Sequence, residues 1–249
     1  MRAIIPAAGK GTRLHLSGND KPKVMQLALG KPLLETVLHE TAFISPEDTY
    51  IVVGYKKDDV MGYFGDKYHY IEQKEQLGTG HAVRVCEDAF RDYDGTVLVT
   101  FGDMPLFRRE CLEKLCREHE MSGADCTLLT AINDDLPYWA RIIRDGEGSF
   151  AAIVEAKDAT PEQTRIRELF AGVLVFNSRS LFSVLPDVGC RNKQHEYYLT
   201  EVPQLMRQRG MKIETFMTDD GDDLRGVNTP EDLRICEEIM KKRKNALLI

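Results

Sequence analysis

The stretch from Ile4 to Leu14, IIPAAGKGTRL, sets a short apolar run directly before Gly9, Lys10, Gly11, Thr12 and Arg13. Glycines let backbone N–H groups approach an anion, Thr12 adds a hydroxyl, and Lys10 and Arg13 add charge, a combination suited to polyphosphate. Two common phosphate loops have a different spacing. The Walker pattern needs a glycine at position 4 and a hydroxyl residue at 11, where this chain has Ile4 and Gly11. The dinucleotide fingerprint needs a third glycine where Leu14 stands. A further cation, Lys23, follows within KPKV. Each stretch alone reads equally well as a turn with exposed basic side chains; together, behind a buried strand, they favour phosphate.

Other stretches carry complementary chemistry. Asp103 in VTFGDMP stands at the end of an apolar run. A carboxylate there suits a divalent cation such as Mg²⁺ that also holds phosphate oxygens, although it can equally cap a helix after Pro105. QKEQLGTGHAV offers Gln73 and Gln76, whose planar amides match a pyrimidine edge, next to the glycine loop of Gly78 and Thr79. His81 in that stretch reads as a packed structural residue. In IVEAKDATPEQ, Glu155 and Lys157 alternate along one strand face, so Glu155 can accept hydrogen bonds from sugar hydroxyls or form a surface ion pair. Asn228 in RGVNTPEDL lies just before Pro230, a common entry into a helix that an asparagine can cap.

These groups need elements to hold them. RAIIPA, IVVG (Ile51 to Gly54) and TVLVTFGD (Thr96 to Asp103) are apolar enough for strands buried on both faces. Helical patterns lie between them at about Pro32–Phe43, Asp58–Phe64 and Thr79–Phe90. Alternation of this kind predicts right-handed crossovers and a parallel sheet, with ligands at the carboxyl ends of its strands. Both the glycine loop and Asp103 occupy such ends. Further on, ADCTLLTAI, ARIIRD, AAIVEAKD and AGVLVFN read as strands, with helices near Leu199–Arg209 and Pro230–Lys244. Gly146, Gly148 and the acidic run Asp219–Asp223 read as turns. The expectation is one mixed α/β domain whose second half is more antiparallel.

Composition narrows the class. The 249 residues include 33 Lys plus Arg against 40 Asp plus Glu, a net charge of -7 that disfavours nucleic acid. An acidic chain that handles phosphates must gather its cations at one place. The six cysteines form no C-x-x-C pair and no zinc spacing, so reduced structural thiols are expected. The N-terminal apolar run is too short for a signal peptide and no window matches a membrane span, which leads to the expectation of a cytoplasmic protein.

Taken in order, AAGKGTRL, KPKV, EQLGTGHAV, FGDMPL, ARIIRD, IVEAKDATPEQ, NKQHEYYLTE and RGVN resemble the uridyltransferase domain of bacterial UDP-N-acetylglucosamine pyrophosphorylase. The likeness runs from Ala3 to about Leu233. LGTGHA and IVEAKDAT belong to that branch, whereas GxGTR with KPK marks sugar-nucleotidyltransferases at large. The resemblance implies a Rossmann-like nucleotidyltransferase fold with a central mixed, mostly parallel sheet. It also implies UMP transfer from UTP to a sugar 1-phosphate, giving UDP-sugar and pyrophosphate with Mg²⁺. Carried over residue by residue, it implies Arg13 and Lys23 as catalytic cations and Asp103 with Asn228 as metal ligands. Ala7, Ala8, Gly9, Gly11, Thr12, Gln73, Gln76, Gly78 and Thr79 would bind nucleotide, and Glu155, Tyr198 and Thr200 would lie on the sugar side. Residues 1–110 would form the nucleotide half, 111–230 the sugar half and 230–249 a C-terminal helix.

The sugar half also departs from the family pattern. Ala140 stands where a glycine is usual, Phe170 where an asparagine is usual, and Phe101 where a tyrosine is common. Losing an amide partner leaves a polar substrate group unpaired, so an acceptor other than N-acetylglucosamine 1-phosphate is a hypothesis of the sequence. The family's β-helix acetyltransferase domain is not expected here, because the chain ends at KKRKNALLI; oligomeric state stays open. The competing readings are a cytidylyl- or other nucleotidyltransferase with a different phosphorylated acceptor, and a nucleotide-sugar-binding module without turnover.

Overall fold

A computed structural model describes residues 1–14 and 20–246. The last residues of the expected C-terminal segment, 247–249, lie outside it. Besides a two-residue hairpin that pairs Leu27–Ala28 with Lys31–Pro32, the strands are those of the main sheet, β1 (Arg2–Pro6), β2 (Thr49–Val53), β3 (His69–Glu72), β4 (Thr96–Val99), β5 (Cys126–Ile132), β6 (Arg141–Arg144), β7 (Phe150–Val154), β8 (Glu168–Asn177) and β9 (Ile213–Met217). The helices are α1 (Leu33–Glu40), α2 (Lys57–Phe64), α3 (Thr79–Arg84), α4 (Glu87–Phe90), α5 (Arg109–Ser122), α6 (Ser178–Val184), α7 (Val202–Gln208) and α8 (Pro230–Ala246).

These nine strands join one mixed sheet in the order β9-β5-β8-β4-β1-β2-β3, with β6 paired to β8 and β7. Strand β1 lies between β2 and β4, parallel to both, and β2 continues parallel to β3. Strand β8 turns the direction: it runs antiparallel to β4 and β5, while β9 is parallel to β5. The central strands are apolar without a break because helices cover both faces. Ala3, Ile4 and Ile5 are wholly buried. Alternation then sorts the side chains: Val97 and Val99 pack on one face with Ile4 and Leu174, and Leu98 packs on the other with Leu112 and Leu115 of α5. Among the described residues, no helix is long and apolar enough to cross a membrane.

Several elements differ from the sequence expectation. Strand β4 stops at Val99, yet the backbone beyond it still follows β1, with Thr100 N donating to Ile4 O (3.3 Å) and Gly102 N to Pro6 O (3.1 Å). The helix expected over Thr79–Phe90 divides into α3 and α4, because ψ rises to -12° at Val85 and -7° at Cys86. The helix expected from Leu199 begins as a single 3₁₀ turn, Leu199–Glu201. Its α-helical part starts at Val202, with Pro203 in the first turn, where a missing N–H leaves no bond unmade. Strand β7 ends at Val154, so Glu155 and Lys157 do not share a strand face. They lie in a turn closed by Asp158 N and Ala159 N on Glu155 O (2.9 and 3.0 Å). The acidic run is more ordered than a simple turn: Gly221–Leu224 is 3₁₀, and Asp223 is wholly buried.

Candidate active site

The site's two central loops are neighbours because their strands are. Strands β1 and β4 run side by side in the same direction, so the chain after Pro6 and the chain after Val99 emerge at one edge. Ala7 N donates to Val52 O (2.8 Å) and Gln73 N to Val53 O (2.8 Å), which brings the Gln73 loop to the same edge.

Four side chains from separate stretches converge there. The Lys23 ammonium donates to Asp103 Oδ2 and, at 2.8 Å, to Asn228 Oδ1. Arg13 Nη2 donates to the same Asn228 oxygen at 3.2 Å. Lys23 and Asp103 are mostly shielded, whereas Arg13, Thr12 and Lys10 face solvent. Gly11 explains how Lys23 comes so close to the loop. Its φ is +66°, and a Cβ placed on it would stand 2.6 Å from Lys23 Cβ, so only glycine allows this approach.

A small apolar cluster anchors the loops from below. Leu14, Leu106, Val227 and Cys236 pack together with Leu33 and Ala28, and α8 contributes Leu233, Ile239 and Met240. Leu14 is only 1% exposed, and burying a leucine is worth about 1.5–3 kcal/mol, so Arg13 projects from a firmly seated turn. Val227 N donates to Asp103 O at 2.9 Å, tying the two loops that carry Asp103 and Asn228.

The side-chain oxygens of Asp103 and Asn228 already share one cation, the Lys23 ammonium, so their arrangement suits a divalent ion. Among the described residues no group of three or more His, Cys, Asp or Glu side chains forms a self-sufficient metal site. An ion held here would take the rest of its shell from substrate phosphate and water, as Mg²⁺ commonly does.

The loop expected to read the base is held from within. Gln73 is buried, and its Nε2 donates to Gly78 O (3.1 Å) and to His81 Nδ1 (3.0 Å), so its amide N–H groups are engaged inside the loop. Gln76 Nε2 donates to Gln73 O (3.1 Å). His81 is thus a structural partner of Gln73, as its sequence context suggested. Gly78 has φ +117° and lies against the Tyr197 backbone, where a Cβ would come within 2.6 Å of Tyr197 O. Gly80 N donates to Tyr197 O (2.7 Å), and Leu199 N donates to Thr79 Oγ1 (3.0 Å).

Those contacts join the Gly78 loop to the Tyr197–Thr200 segment, which in turn reaches Glu155. Thr200 Oγ1 donates to Glu155 Oε1 at 2.8 Å. Burial raises the Glu155 carboxyl above its usual range, and the Thr200 bond offsets this in part. Tyr198 is 7% exposed, and Asp158 is among the carboxylates near its hydroxyl. Burial, then the carboxylates of Asp158, Glu155 and Glu196, suppress that phenol's ionisation. Ala140 and Phe170 lie in the core, joined by Phe170 N donating to Ala140 O (2.9 Å), and Phe101 packs half-buried against both core faces. None of these three offers a polar side-chain group to a ligand.

Sequence reasoning missed Arg108, Asp223 and Arg243. Asp223 accepts from both arginines directly behind the Asp103 loop. The acidic run Asp219–Asp223 was visible, but nothing local marks which of its aspartates turns inward.

A glycine loop at the end of a central parallel strand faces a carboxylate and an amide that share a cation, the arrangement expected of a nucleotidyltransferase. The chain belongs to the MobA-like NTP transferase domain family, whose model matches residues 3–192. It is 36% identical over 245 residues to the bifunctional protein GlmU of Enterococcus faecalis, covering 98% of this chain and 53% of that protein. It is 38% identical over 242 residues to the bifunctional protein GlmU of Lactobacillus delbrueckii subsp. bulgaricus, covering 97% and 52%. The chain thus spans about half the length of the curated relatives it matches. Among solved structures it is similar to a UDP-glucose pyrophosphorylase complexed with UDP-glucose, with a TM-score of 0.78, 19% identity and coverage of 97% and 98%. A putative glucose-1-phosphate thymidylyltransferase from Bacillus anthracis gives a TM-score of 0.75 at 18% identity, with coverage of 96% and 94%. At such identities these two share the fold.

Proposed function

We propose that this chain transfers UMP from UTP to a sugar 1-phosphate, releasing pyrophosphate and a UDP-sugar. The observation that carries the reading is the meeting of Arg13, Lys23, Asp103 and Asn228 at one sheet edge. Its kinship with GlmU proteins supports the choice of UTP and of N-acetylglucosamine 1-phosphate or a related sugar as acceptor.

In this reaction a phosphate oxygen of the sugar 1-phosphate forms a bond to the α-phosphorus of UTP. The bond from that phosphorus to the bridging oxygen breaks, and its electron pair leaves on pyrophosphate. The nucleophile is already an anion, so no proton has to be removed and no general base is needed. The requirements are alignment of two anions and neutralisation of the charge on the leaving group. Arg13 and Lys23 supply positive charge beside the glycine loop, whose N–H groups would hold phosphate oxygens. Asp103 and Asn228 would hold Mg²⁺, which supplies charge neutralisation and a template for the phosphates when bound. Gln76, Gly78 and Thr79 would meet the base, together with the Oε1 face of Gln73. Glu155, Thr200 and Tyr198 would meet the sugar. The apolar settings of Ala140, Phe101 and Phe170 are why the panel of acceptors includes related sugars beside N-acetylglucosamine 1-phosphate. A cytoplasmic location completes the proposal, and the six unpaired thiols agree with a reducing compartment.

The test is Mg²⁺-dependent pyrophosphate release with each nucleoside triphosphate crossed against a panel of sugar and alcohol phosphates, with Asp103→Ala as the blank. Release with UTP and a sugar phosphate supports the reading and names the acceptor. Preference for CTP with an alcohol phosphate would replace it with a cytidylyltransferase. Binding of UTP with no release across the panel would leave a non-catalytic module.

A further inference from the structure

The loops bearing Asp103 and Asn228 are joined at two levels. At the upper level Val227 N donates to Asp103 O. At the lower level stands Asp223, wholly buried, with a hydrogen bond to each of its oxygens from Arg108: Nε to Oδ1 at 3.2 Å and Nη2 to Oδ2 at 3.0 Å. Arg108 follows Asp103 on one loop, and Asp223 precedes Asn228 on the other. Thr218 Oγ1 also donates to Asp223 Oδ2 (2.8 Å). Arg243 of α8 closes the ring, with Nη2 donating to Asp223 Oδ1 (3.0 Å) and Nη1 donating to Leu106 O (2.5 Å), again on the Asp103 loop.

A buried ion pair is a weak source of net stability, because desolvating the charges opposes their attraction, and well-packed apolar residues can do as well. What a forked guanidinium does well is fix geometry, since two parallel bonds define both distance and direction. Here the forks span the two chain segments whose side chains must converge. Removing either one leaves Asp103 and Asn228 intact and loosens the connection between the loops, which then rests on the Val227 N–Asp103 O bond and on the outer pairs of Arg108 with Asp219 and Arg243 with Asp220.

We infer that Asp223, through Arg108 and Arg243, is a positioning residue that sets the separation of the Asp103 and Asn228 oxygens and so couples helix α8 to the reaction site. The inference rests on the uridyltransferase reading for its kinetic consequence and on the shared cation position for its binding consequence.

The experiment uses the whole chain as wild type, Asp223→Asn, Arg243→Met and Arg243→Lys. It reads kcat, KM for both substrates, Mn²⁺ affinity by electron paramagnetic resonance, and the melting curve. Arg243→Met is expected to lower kcat about tenfold to a hundredfold, the range set by sub-ångström to ångström misplacement, and to weaken Mn²⁺ binding several-fold. KM for the sugar phosphate should stay within about twofold, as expected for a residue that acts only through loop geometry. Arg243→Lys keeps the charge on a single nitrogen without the planar fork and should recover part of the loss, and Asp223→Asn should lose more than either. If Asp223→Asn does not fold, Arg243→Met still decides the question. Wild-type kcat per folded molecule with unchanged Mn²⁺ affinity in Arg243→Met would overturn the inference, however far the melting temperature fell. If the wild type itself released no pyrophosphate, the uridyltransferase reading would fail, and the Mn²⁺ comparison would still judge the positioning role.

Discussion

Replacing Gly11 by alanine probes the step from backbone conformation to chemistry. Two penalties arise at once. An alanine in the left-handed region at φ +66° loses roughly 1–2 kcal/mol relative to a relaxed residue. The new methyl would also lie 2.6 Å from Lys23 Cβ and 2.9 Å from Lys23 Cγ, whereas carbon atoms pack at about 3.5–4.0 Å. Something must give by about 1 Å. Lys23 leads a 3₁₀ turn whose next two residues, Val24 and Met25, are buried, so the loop and the ammonium are the parts free to yield. With Lys23 in its proposed role beside the reacting phosphates, a shift of about 1 Å predicts a fall in kcat of about a hundredfold. The stability loss of about 1–2 kcal/mol corresponds to a melting temperature lower by roughly 2–8 °C in a domain of this size. Gly9→Ala is the matched control, since a Cβ there meets nothing within 4 Å. It should melt like the wild type and lose UTP affinity only if phosphate passes close to Gly9. The assay is pyrophosphate release at saturating substrates, alongside thermal unfolding of both variants. A Gly11→Ala protein with wild-type kcat would refute the claim that this close approach sets Lys23.

Two more outcomes follow from the same geometry. Lys23→Ala removes the cation that Asp103 and Asn228 now share, so nucleotide-free protein should bind Mn²⁺ more tightly while turnover is lost, which calorimetry and the release assay would check together. Glu155→Gln should change the pH dependence of stability. The folded protein raises this carboxyl by burial, so its contribution is fully present below the usual value near 4.5 and is lost as pH rises through the higher folded value. Wild type should therefore lose stability across that window and Glu155→Gln should not; parallel melting curves for the two between pH 4 and pH 7 would contradict this.

Much of the parallel half was legible because it depends on local patterns. Arg2–Pro6, Thr49–Val53 and Thr96–Val99 are apolar runs long enough for buried strands, and glycine or aspartate marks where each loop begins. Helix α5 escaped notice because its inward stripe is built partly from Cys111, Cys116 and His119, which dilute the apolar period. Strand β3 is an edge strand in which only Tyr70 and Ile71 are apolar and both are half-buried, so its hydrophobic signal is short and weak. The split at Val85–Cys86 and the late start of α7 are matters of a few dihedral angles, below the resolution of residue patterns.

The sequence by itself determined which residues bear charge, side-chain oxygen and conformational freedom: Arg13 and Lys23, Asp103 and Asn228, Gly11 and Gly78. It also indicated that the first loops share an edge, since parallel strands send their loops to one side. Only the tertiary structure decided that Lys23 lies between Asp103 and Asn228, because that meeting joins segments far apart in the chain. Only the tertiary structure, too, turned Asp223 inward to meet two arginines while Asp219 beside it stays at the surface. Side-chain chemistry is written residue by residue, whereas convergence depends on where several elements come to rest at once, and no local window contains that information.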